Sequence, residues 1–447
     1  MEFAKRAFKG GIHPPENKLT RDMPITEIKD IALVRIPMNM AIGAPCKPVV
    51  KKGDHVDIGQ IIGEPSGIAV PIHATVSGTV KAVKAEYMGT GEMMVLVDID
   101  NDFQYTIHES VRKPEVVDQP SFVAAVKACG MVGMGGAGFP THIKMNPSKD
   151  KYPDILLVNA MECEPYITSD ERQMIEHTES IVKGIAATLK YMGIPKAIIG
   201  IEANKPEGAA ALREELAKQG LTDQVELRVM PVRYPQGAEK TMIQAITGRV
   251  IPAQGLPGDV NVTVQNVSTL NYINRYLETG MPFVKRVVTL TGDCPAGPGN
   301  YEIPIGTRIS ELIEKTGGLK TDPKKILMGG PMMGIAMSDI NQPIIKNNNA
   351  ILLLDKGAVV PAETPCISCG RCIDACPMEL MPNILNKATK NKDFERLDNY
   401  AVMNCVECGA CAYVCPAKIQ LVQSLRTGKI IYRNELAEIK KQREAAK

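Results

Sequence analysis

Eight of the twelve cysteines fall in two runs, C-I-S-C-G-R-C-I-D-A-C-P from Cys366 and C-V-E-C-G-A-C-A-Y-V-C-P from Cys405. Both follow C-x2-C-x2-C-x3-C-P. Three closely spaced thiolates wrap one corner of a cubane, the fourth reaches across to a second cubane, and the proline turns the chain away. The pattern therefore assigns one [4Fe-4S] cluster to Cys366, Cys369, Cys372 and Cys415, and the other to Cys405, Cys408, Cys411 and Cys376. Structural zinc uses ligands in two pairs. It would leave the third cysteine, the x3 spacing and the proline of each run without a role. A disulfide framework belongs to secreted chains. The lone Cys46, Cys129, Cys163 and Cys294 read as small buried residues.

Clusters exchange single electrons, so a second site must supply or take them. The candidate is G-M-V-G-M-G-G-A-G-F-P-T-H-I-K, from Gly130 to Lys144. Gly133, Gly135 and Gly138 formally satisfy G-x-G-x-x-G. The ordinary dinucleotide fingerprint follows a strand and opens a helix. Here a helix precedes the glycines and Pro140 follows them, which excludes that reading. The physics of the loop survives: successive glycines let backbone N–H groups turn inward and approach a phosphate or a flat ring closely. Lys144 adds a positive charge beside them.

The elements that must position this loop alternate. A helix over 122–129, capped by Ser121, leads into it. A strand over 154–160, the loop N-A-M-E-C-E-P and a long helix over 169–192 follow. A strand over 197–201, a helix over 206–218, a strand over 225–230 and a helix over 238–247 complete the order. Such alternation predicts a largely parallel sheet covered by helices, within residues 111–283. Upstream, residues 31–110 read as short strands broken by Gly/Asp turns, a small β-sandwich or barrel. Residues 1–30 carry G-G-I-H-P-P-E-N-K and read as an arm rather than an element. Downstream, residues 284–340 read as strand, hairpin and short helix, with G-G-P-M-M-G (Gly329 to Gly334) as a tight turn against neighbouring core. Residues 341–433 comprise a linker and the cysteine runs. Between the runs, 377–404 includes a helical stretch over 385–397 that suits docking on the rest of the protein. Residues 434–447 read as a charged helical tail with a solvated face.

Basic and acidic residues number 52 and 50, tryptophan is absent, and aromatics make up 4%. Near-neutral charge without a stacking platform argues against a nucleic-acid partner. The N-terminus lacks the apolar run of a signal peptide, and no stretch of about 18 apolar residues is present to span a membrane. A cytosolic setting, which keeps thiols reduced, is expected.

Several of these segments match known families. V-K-K-G-D-H-V-D-I-G-Q-I-I-G and V-S-G-T-V resemble the biotinyl/lipoyl carrier fold. The turn near 69–73, where a carrier presents its lysine, has none, so the domain is expected to dock or pack. G-M-G-G-A-G-F-P-T-H-I-K resembles the flavin-binding loop of the NADH-oxidising, FMN-carrying subunit of respiratory complex I. Asn159-Ala-Met-Glu-Cys-Glu-Pro resembles that family's acidic nucleotide loop. Tyr234-Pro-Gln-Gly-Ala-Glu-Lys-Thr resembles its second glycine/glutamate segment, and Gln265-Asn-Val-Ser-Thr-Leu its Asn-rich flavin segment. The resemblance implies that Gly133, Gly135, Gly136, Lys144, Asn159, Gly237, Asn266 and Thr269 hold FMN. It implies that Phe139, Glu162, Glu164, Tyr234 and Glu239 line the flavin–nicotinamide side. Three positions depart from that family: Met134 stands for an arginine, Met161 for an acid and Ala238 for a glutamate. Residues 284–340 resemble the soluble-ligand-binding β-grasp module.

The fold class implied is multidomain α/β plus β: a carrier-like β-sandwich, a Rossmann-like α/β flavin domain, a β-grasp module and a helical, ferredoxin-like domain for two [4Fe-4S] clusters. This order, over essentially the full length, resembles the RnfC family of the Rnf ion-translocating ferredoxin:NAD+ oxidoreductases. It lacks the long Ala/Lys-rich C-terminal extension of some members. The resemblance implies a peripheral electron-transfer subunit at the cytoplasmic face of the cell membrane. Its cofactors would be FMN, two [4Fe-4S] clusters and NAD(H). Its partners would be the other Rnf subunits, including membrane-embedded ones and an iron–sulfur B subunit, that move Na+ or H+. Hydride chemistry would need no side-chain acid or base. The alternatives are a flavin/iron–sulfur cobalamin reductase of microcompartments, which places its carrier-like domain at the other end, and a non-catalytic iron–sulfur adaptor.

Overall fold

The computed structural model describes residues 8–89, 91–356, 358 and 361–445. Residues 1–7 of the expected arm, 357, 359 and 360 of the expected linker, and 446–447 of the tail lie outside these. The chain divides into two units. One comprises residues 16–230 and 261–358; the other comprises residues 1–15, 231–260 and 359–447.

In the first unit, a parallel four-stranded sheet runs in the spatial order Val225–Met230, Lys196–Glu202, Ile155–Ala160, Val262–Asn266. The aliphatic runs I-L-L-V and A-I-I-G-I are buried, as expected of parallel strands covered on both faces. Chain order reverses between Ile155–Ala160 and Val262–Asn266, so their carboxyl ends border a topological switch point, where such sheets bind ligands. The helix entering the glycine loop runs Gln119–Ala128, and its cap is Asp118 rather than Ser121. Ser121 is the third helical residue and answers Asp118 in a capping box. The single helix expected over 169–192 is two, Ser169–Glu176 and Thr178–Met192, broken at His177, whose φ of −121° and ψ of 28° are not helical.

The carrier-like region forms two antiparallel sheets. One contains Leu33–Pro37, His55–Val56, Gly78–Tyr87 and Met93–Asn101; the other Lys47–Pro48, Ile61–Glu64 and Ile72–His73. The lysine-free turn is buried from Ala69 to His73. A lysine from elsewhere in the chain reaches it. Buried Lys346 donates from Nζ to the carbonyls of Pro71 at 3.1 Å and Gly130 at 2.7 Å, tying this turn to the start of the glycine loop. Burial pulls the Lys346 ammonium down to about 8.

The β-grasp sheet has six strands, in the order Ile25–Glu27, Gly299–Pro304, Lys285–Gly292, Ala350–Leu354, Lys325–Met328, Ile335–Met337. Two features differ from the sequence reading. Ile25–Glu27, within the expected arm, pairs in parallel with Asn300–Glu302 as an edge strand. Ala350–Leu354, within the expected linker, lies centrally between Lys285–Gly292 and Lys325–Met328. Its A-I-L-L-L run is almost wholly buried, as a strand with neighbours on both edges and covered faces requires.

In the second unit, the stretch expected as one helix over 385–397 is two, Pro382–Lys390 and Phe394–Asn399, with Lys392 in the left-handed region between them and Asp393 capping the second. They pack on the helix Leu421–Ala445 through Leu385, Ala388, Leu397, Leu425 and Tyr432. The expected tail is thus the outer, largely exposed part of one long helix.

Candidate functional site

The glycine loop closes on itself. Val132 bridges Pro140, and the Gly133 N–H donates to the Phe139 carbonyl at 2.8 Å. It is pinned from below: the Met134 N–H donates to the Thr269 hydroxyl at 3.2 Å, Arg286 reaches the Met134 carbonyl at 3.4 Å, and Asn347 Nδ2 donates to the Gly136 carbonyl at 3.3 Å. Arg286 and Asn347 carried no sequence signal. The loop lies against the switch point, since a Cβ on Gly135 would stand 3.1 Å from Asn266 Nδ2. Asn266 and Asn159 are register partners at the carboxyl ends of the two bordering strands. Lys144, at the end of the short helix Thr141–Lys144, donates to the Val264 carbonyl at 3.3 Å.

Gly136 is informative. A Cβ there would meet no protein atom within 4 Å, and its φ is not left-handed. Neither packing nor backbone conformation calls for glycine. Close approach by a ligand does, and the residues present therefore fit a flat phosphorylated ring. Met134 and Met161, two of the departures, are buried in the interior and do not line the open side. Thr269 is also fully buried, so it acts on the loop rather than from the surface.

A buried acid fixes the switch point. Asp170 Oδ2 accepts from Asn266 Nδ2 at 2.7 Å, and Oδ1 accepts from Ser268 Oγ. Gln173 extends the network to Ser268 Oγ at 2.6 Å and to Asn271 at 3.0 Å. Sequence reasoning missed Asp170, because an acid in the first turn of a helix reads as ordinary dipole complementation.

The acidic loop follows the Ile155–Ala160 strand. Asn159 Oδ1 accepts from the Met161 N–H at 3.1 Å. Glu162, at φ +35°, turns its carboxylate onto the helix that starts at Ser169, accepting from the Asp170 N–H at 2.6 Å and the Glu171 N–H at 3.2 Å. Burial pushes the Glu162 carboxyl up to about 8, against the opposing pull of Lys18. Lys18, from the arm, donates from Nζ to the carbonyls of Glu162 and Glu164, each at 2.9 Å, and of Ile167 at 2.5 Å. Left-handed residues such as Glu162 and Tyr166 persist where surroundings over-determine them, and this ammonium is part of that restraint. The Glu164 side chain points elsewhere. Its Oε1 accepts from the N–H groups of Met332 at 2.6 Å and Met333 at 3.0 Å in the β-grasp turn.

In the second unit the two cysteine sets separate as the spacing predicts. Cys366, Cys369, Cys372 and Cys415 line one cavity of about 490 Å³; Cys376, Cys405, Cys408 and Cys411 line another of about 320 Å³. Among the described residues no three His, Cys, Asp or Glu converge to hold a single metal ion. Four thiols around a wide cavity fit a cubane and not a mononuclear zinc. The two runs repeat the same backbone devices: Ser368 and Glu407, Gly370 and Gly409, Glu379 and Lys418 are all left-handed. Backbone N–H groups of Leu380 and Glu407 turn toward the sulfurs of Cys376 and Cys405, each at 3.4 Å.

The segment 234–239 belongs to this unit. Tyr234 is buried, and its hydroxyl donates to the Cys408 carbonyl at 2.7 Å. Its backbone pairs with Ile12 in both directions, at 2.8 and 2.9 Å. The neighbouring Gly11 N–H donates to the Ala375 carbonyl at 3.0 Å, beside Cys376. Gly237 is half-buried, and Glu239 opens the helix Glu239–Thr247. Phe139 is half-buried within the first unit.

Family comparisons match this architecture in order. The RnfC barrel sandwich hybrid domain covers residues 6–104, the Nuo51 FMN-binding domain 126–275, the SLBB domain 287–336 and the 4Fe-4S dicluster domain 365–419. The RnfC-type subunit of the Na(+)-translocating ferredoxin:NAD(+) oxidoreductase complex of Acetobacterium woodii is 41% identical over 436 residues, which cover 96% of this chain and 98% of that one. The chain belongs to this RnfC family. The corresponding subunit of the proton-translocating ferredoxin:NAD(+) oxidoreductase complex of Clostridium ljungdahlii is 41% identical over 430 residues, 94% of this chain and 93% of that one. A chain of an NAD+-reducing [NiFe]-hydrogenase, in the H2-reduced state, shares the fold with a TM-score of 0.50 at 20% identity, over 69% of this chain and 61% of that one. The family's four modules are those expected: carrier-like β domain, flavin domain, β-grasp module and two-cluster domain. Among the described residues, no helix is long and apolar enough to cross a membrane.

Proposed function

We propose that this chain is the NAD(H)-facing electron-transfer subunit of a membrane ferredoxin:NAD+ oxidoreductase that moves Na+ or H+. NAD(H) is the substrate; FMN and two [4Fe-4S] clusters are the resident cofactors. The observation that carries the reading is the presence, in one chain, of both an open glycine loop at a switch point and two four-cysteine cavities. FMN, when bound, accepts or returns a hydride pair on one side and single electrons on the other, which is the conversion that joins NAD(H) to iron–sulfur clusters.

The chain's own residues bind and orient. Gly133, Gly135 and Gly136 offer close backbone approach, with Lys144, Asn159, Asn266 and Gly237 as polar contacts and Thr269 holding the loop beneath. Phe139, Glu162, Glu164, Tyr234 and Glu239 belong to the nicotinamide side. Tyr234 also braces the Cys408 loop, so one segment serves both functions. Cys366, Cys369, Cys372 and Cys415 hold one cluster, and Cys405, Cys408, Cys411 and Cys376 the other. The chain would sit peripherally at the cytoplasmic face, with membrane-embedded subunits and an iron–sulfur B subunit as partners.

Anaerobically purified, cofactor-loaded protein is expected to lose both its flavin and its cluster absorbance on addition of NADH. Fully loaded protein that ignores NADH would overturn the reading in favour of a passive adaptor. Gly136→Val is expected to weaken FMN binding on the order of tenfold or more, about 1.4 kcal/mol, with the melting temperature of the flavin-free protein unchanged. Unaltered FMN affinity, measured by fluorescence titration, would remove Gly136 from the cradle.

A further inference from the structure

The β-grasp turn G-G-P-M-M-G meets the acidic loop, and its glycines are not equivalent. Gly329 is left-handed at φ +100°, and a Cβ on Gly334 would stand 2.3 Å from the Gly330 carbonyl oxygen. Those two are glycines because the turn is tight. Gly330 is different. Its φ lies outside the left-handed range, so the backbone tolerates any residue. What a Cβ there would meet is Glu164: Cγ at 2.1 Å, Oε1 at 2.5 Å and Cδ at 2.7 Å. All three lie beyond the Cβ of Glu164. The same carboxylate accepts the consecutive N–H groups of Met332 and Met333, an arrangement of backbone amides that suits an anion. Meanwhile Lys18 holds the Glu164 backbone through its carbonyl. Side chain and main chain of one residue are thus fixed by two different parts of the protein.

We propose that the β-grasp turn is a positioning element of the nicotinamide-nucleotide site: Gly330 gives the Glu164 carboxylate room, and the Met332 and Met333 amides fix it. The anion-binding amides of the turn are filled by the chain's own carboxylate rather than by a soluble ligand. Glu164 is placed for the nucleotide; Gly330 acts only through Glu164. The proposal rests on the assignment of Glu164 to the NAD(H) side.

The test is a double-mutant cycle in the full chain loaded with FMN and clusters, with Gly330→Ala, Glu164→Ala and the pair. NAD+ affinity is read by anaerobic calorimetry, and KM and kcat are read with NADH and an artificial acceptor. Flavin and iron content report folding. Gly330→Ala is expected to raise the NAD+ Kd and the NADH KM about tenfold, or 1.4 kcal/mol, with kcat within about twofold and cofactor content unchanged. In the Glu164→Ala background the same change is expected to add nothing, because the atoms it would displace are gone. Unchanged affinity in Gly330→Ala while Glu164→Ala loses affinity would overturn the proposal and leave the functional reading standing. So would a Gly330→Ala loss that adds fully to that of Glu164→Ala, or that comes with lost flavin. A loaded wild-type protein that binds no NAD+ would instead overturn the functional reading itself.

Discussion

Replacing Cys376 by Ala is expected to remove the same cluster as replacing Cys405, although the two cysteines belong to different runs. Each variant should keep about four of about eight iron atoms per chain, and both should retain one and the same electron paramagnetic resonance signal after reduction. Cys366→Ala and Cys415→Ala should form the complementary pair and retain the other signal. The expectation follows from the cavities, which each gather three cysteines of one run and the fourth of the other. If each run instead built its own cluster, Cys376 would group with Cys366. Iron analysis and spectra of the four variants separate the two schemes, and a Cys376 variant that matches Cys366→Ala would refute the crossed assignment. The surroundings make the crossed scheme robust. Cys376 sits in a core with Leu380, Leu385 and Leu425 that also contacts Cys405. Cys415 lies with Ala417, Ile419 and Leu421, and Cys372 packs against that group.

The crossed pairing was legible because spacing alone encodes it: a C-x2-C-x2-C segment has one geometry, and the fourth cysteine cannot fold back over the proline. The glycine loop was legible for a related reason, since glycine gathered at high density signals close approach. Other features were hidden because they depend on partners distant in sequence. G-G-P-M-M-G reads as a tight turn, which it is, but nothing local says that two of its amides meet a carboxylate in another module. Lys18 looks like any lysine in a polar arm until the loop 162–167 is brought around it. The strand Ile25–Glu27 is too short for periodicity to register, and its edge position is set by the β-grasp sheet. Ala350–Leu354 is visible as an apolar run, yet its central place depends on a parallel pairing that no turn encodes. The break at His177 has neither proline nor glycine to announce it. In the carrier-like domain, by contrast, one missing lysine was enough to suggest a packing role, and the burial of 69–73 is what such a role requires.

Asp170→Ala is expected to produce flavin-free protein with full iron content. Asp170 is 6% exposed and accepts hydrogen bonds from Asn266 and Ser268, the residues that open the helix Val267–Thr279 at the switch point. Its charge also supports buried Arg286, which reaches the glycine loop from the other side. Removing the carboxylate leaves two donors and a guanidinium without their compensating charge, a loss on the order of 3–5 kcal/mol for a buried charged network. The loop and Asn266 should both lose their register, and FMN affinity should fall more than about a hundredfold, or 2.7 kcal/mol. Asp170→Asn separates charge from shape. It keeps one acceptor oxygen but turns an NH2 toward a second donor, so an intermediate loss near tenfold, or about 1.4 kcal/mol, is expected. Fluorescence titration of FMN into flavin-depleted variants measures both. Iron should be unaffected, because every cluster cysteine lies in the other unit. Equal FMN affinity in the wild type and Asp170→Ala would mean that the switch-point network is only structural, and that the flavin cradle is held by the glycine loop without it.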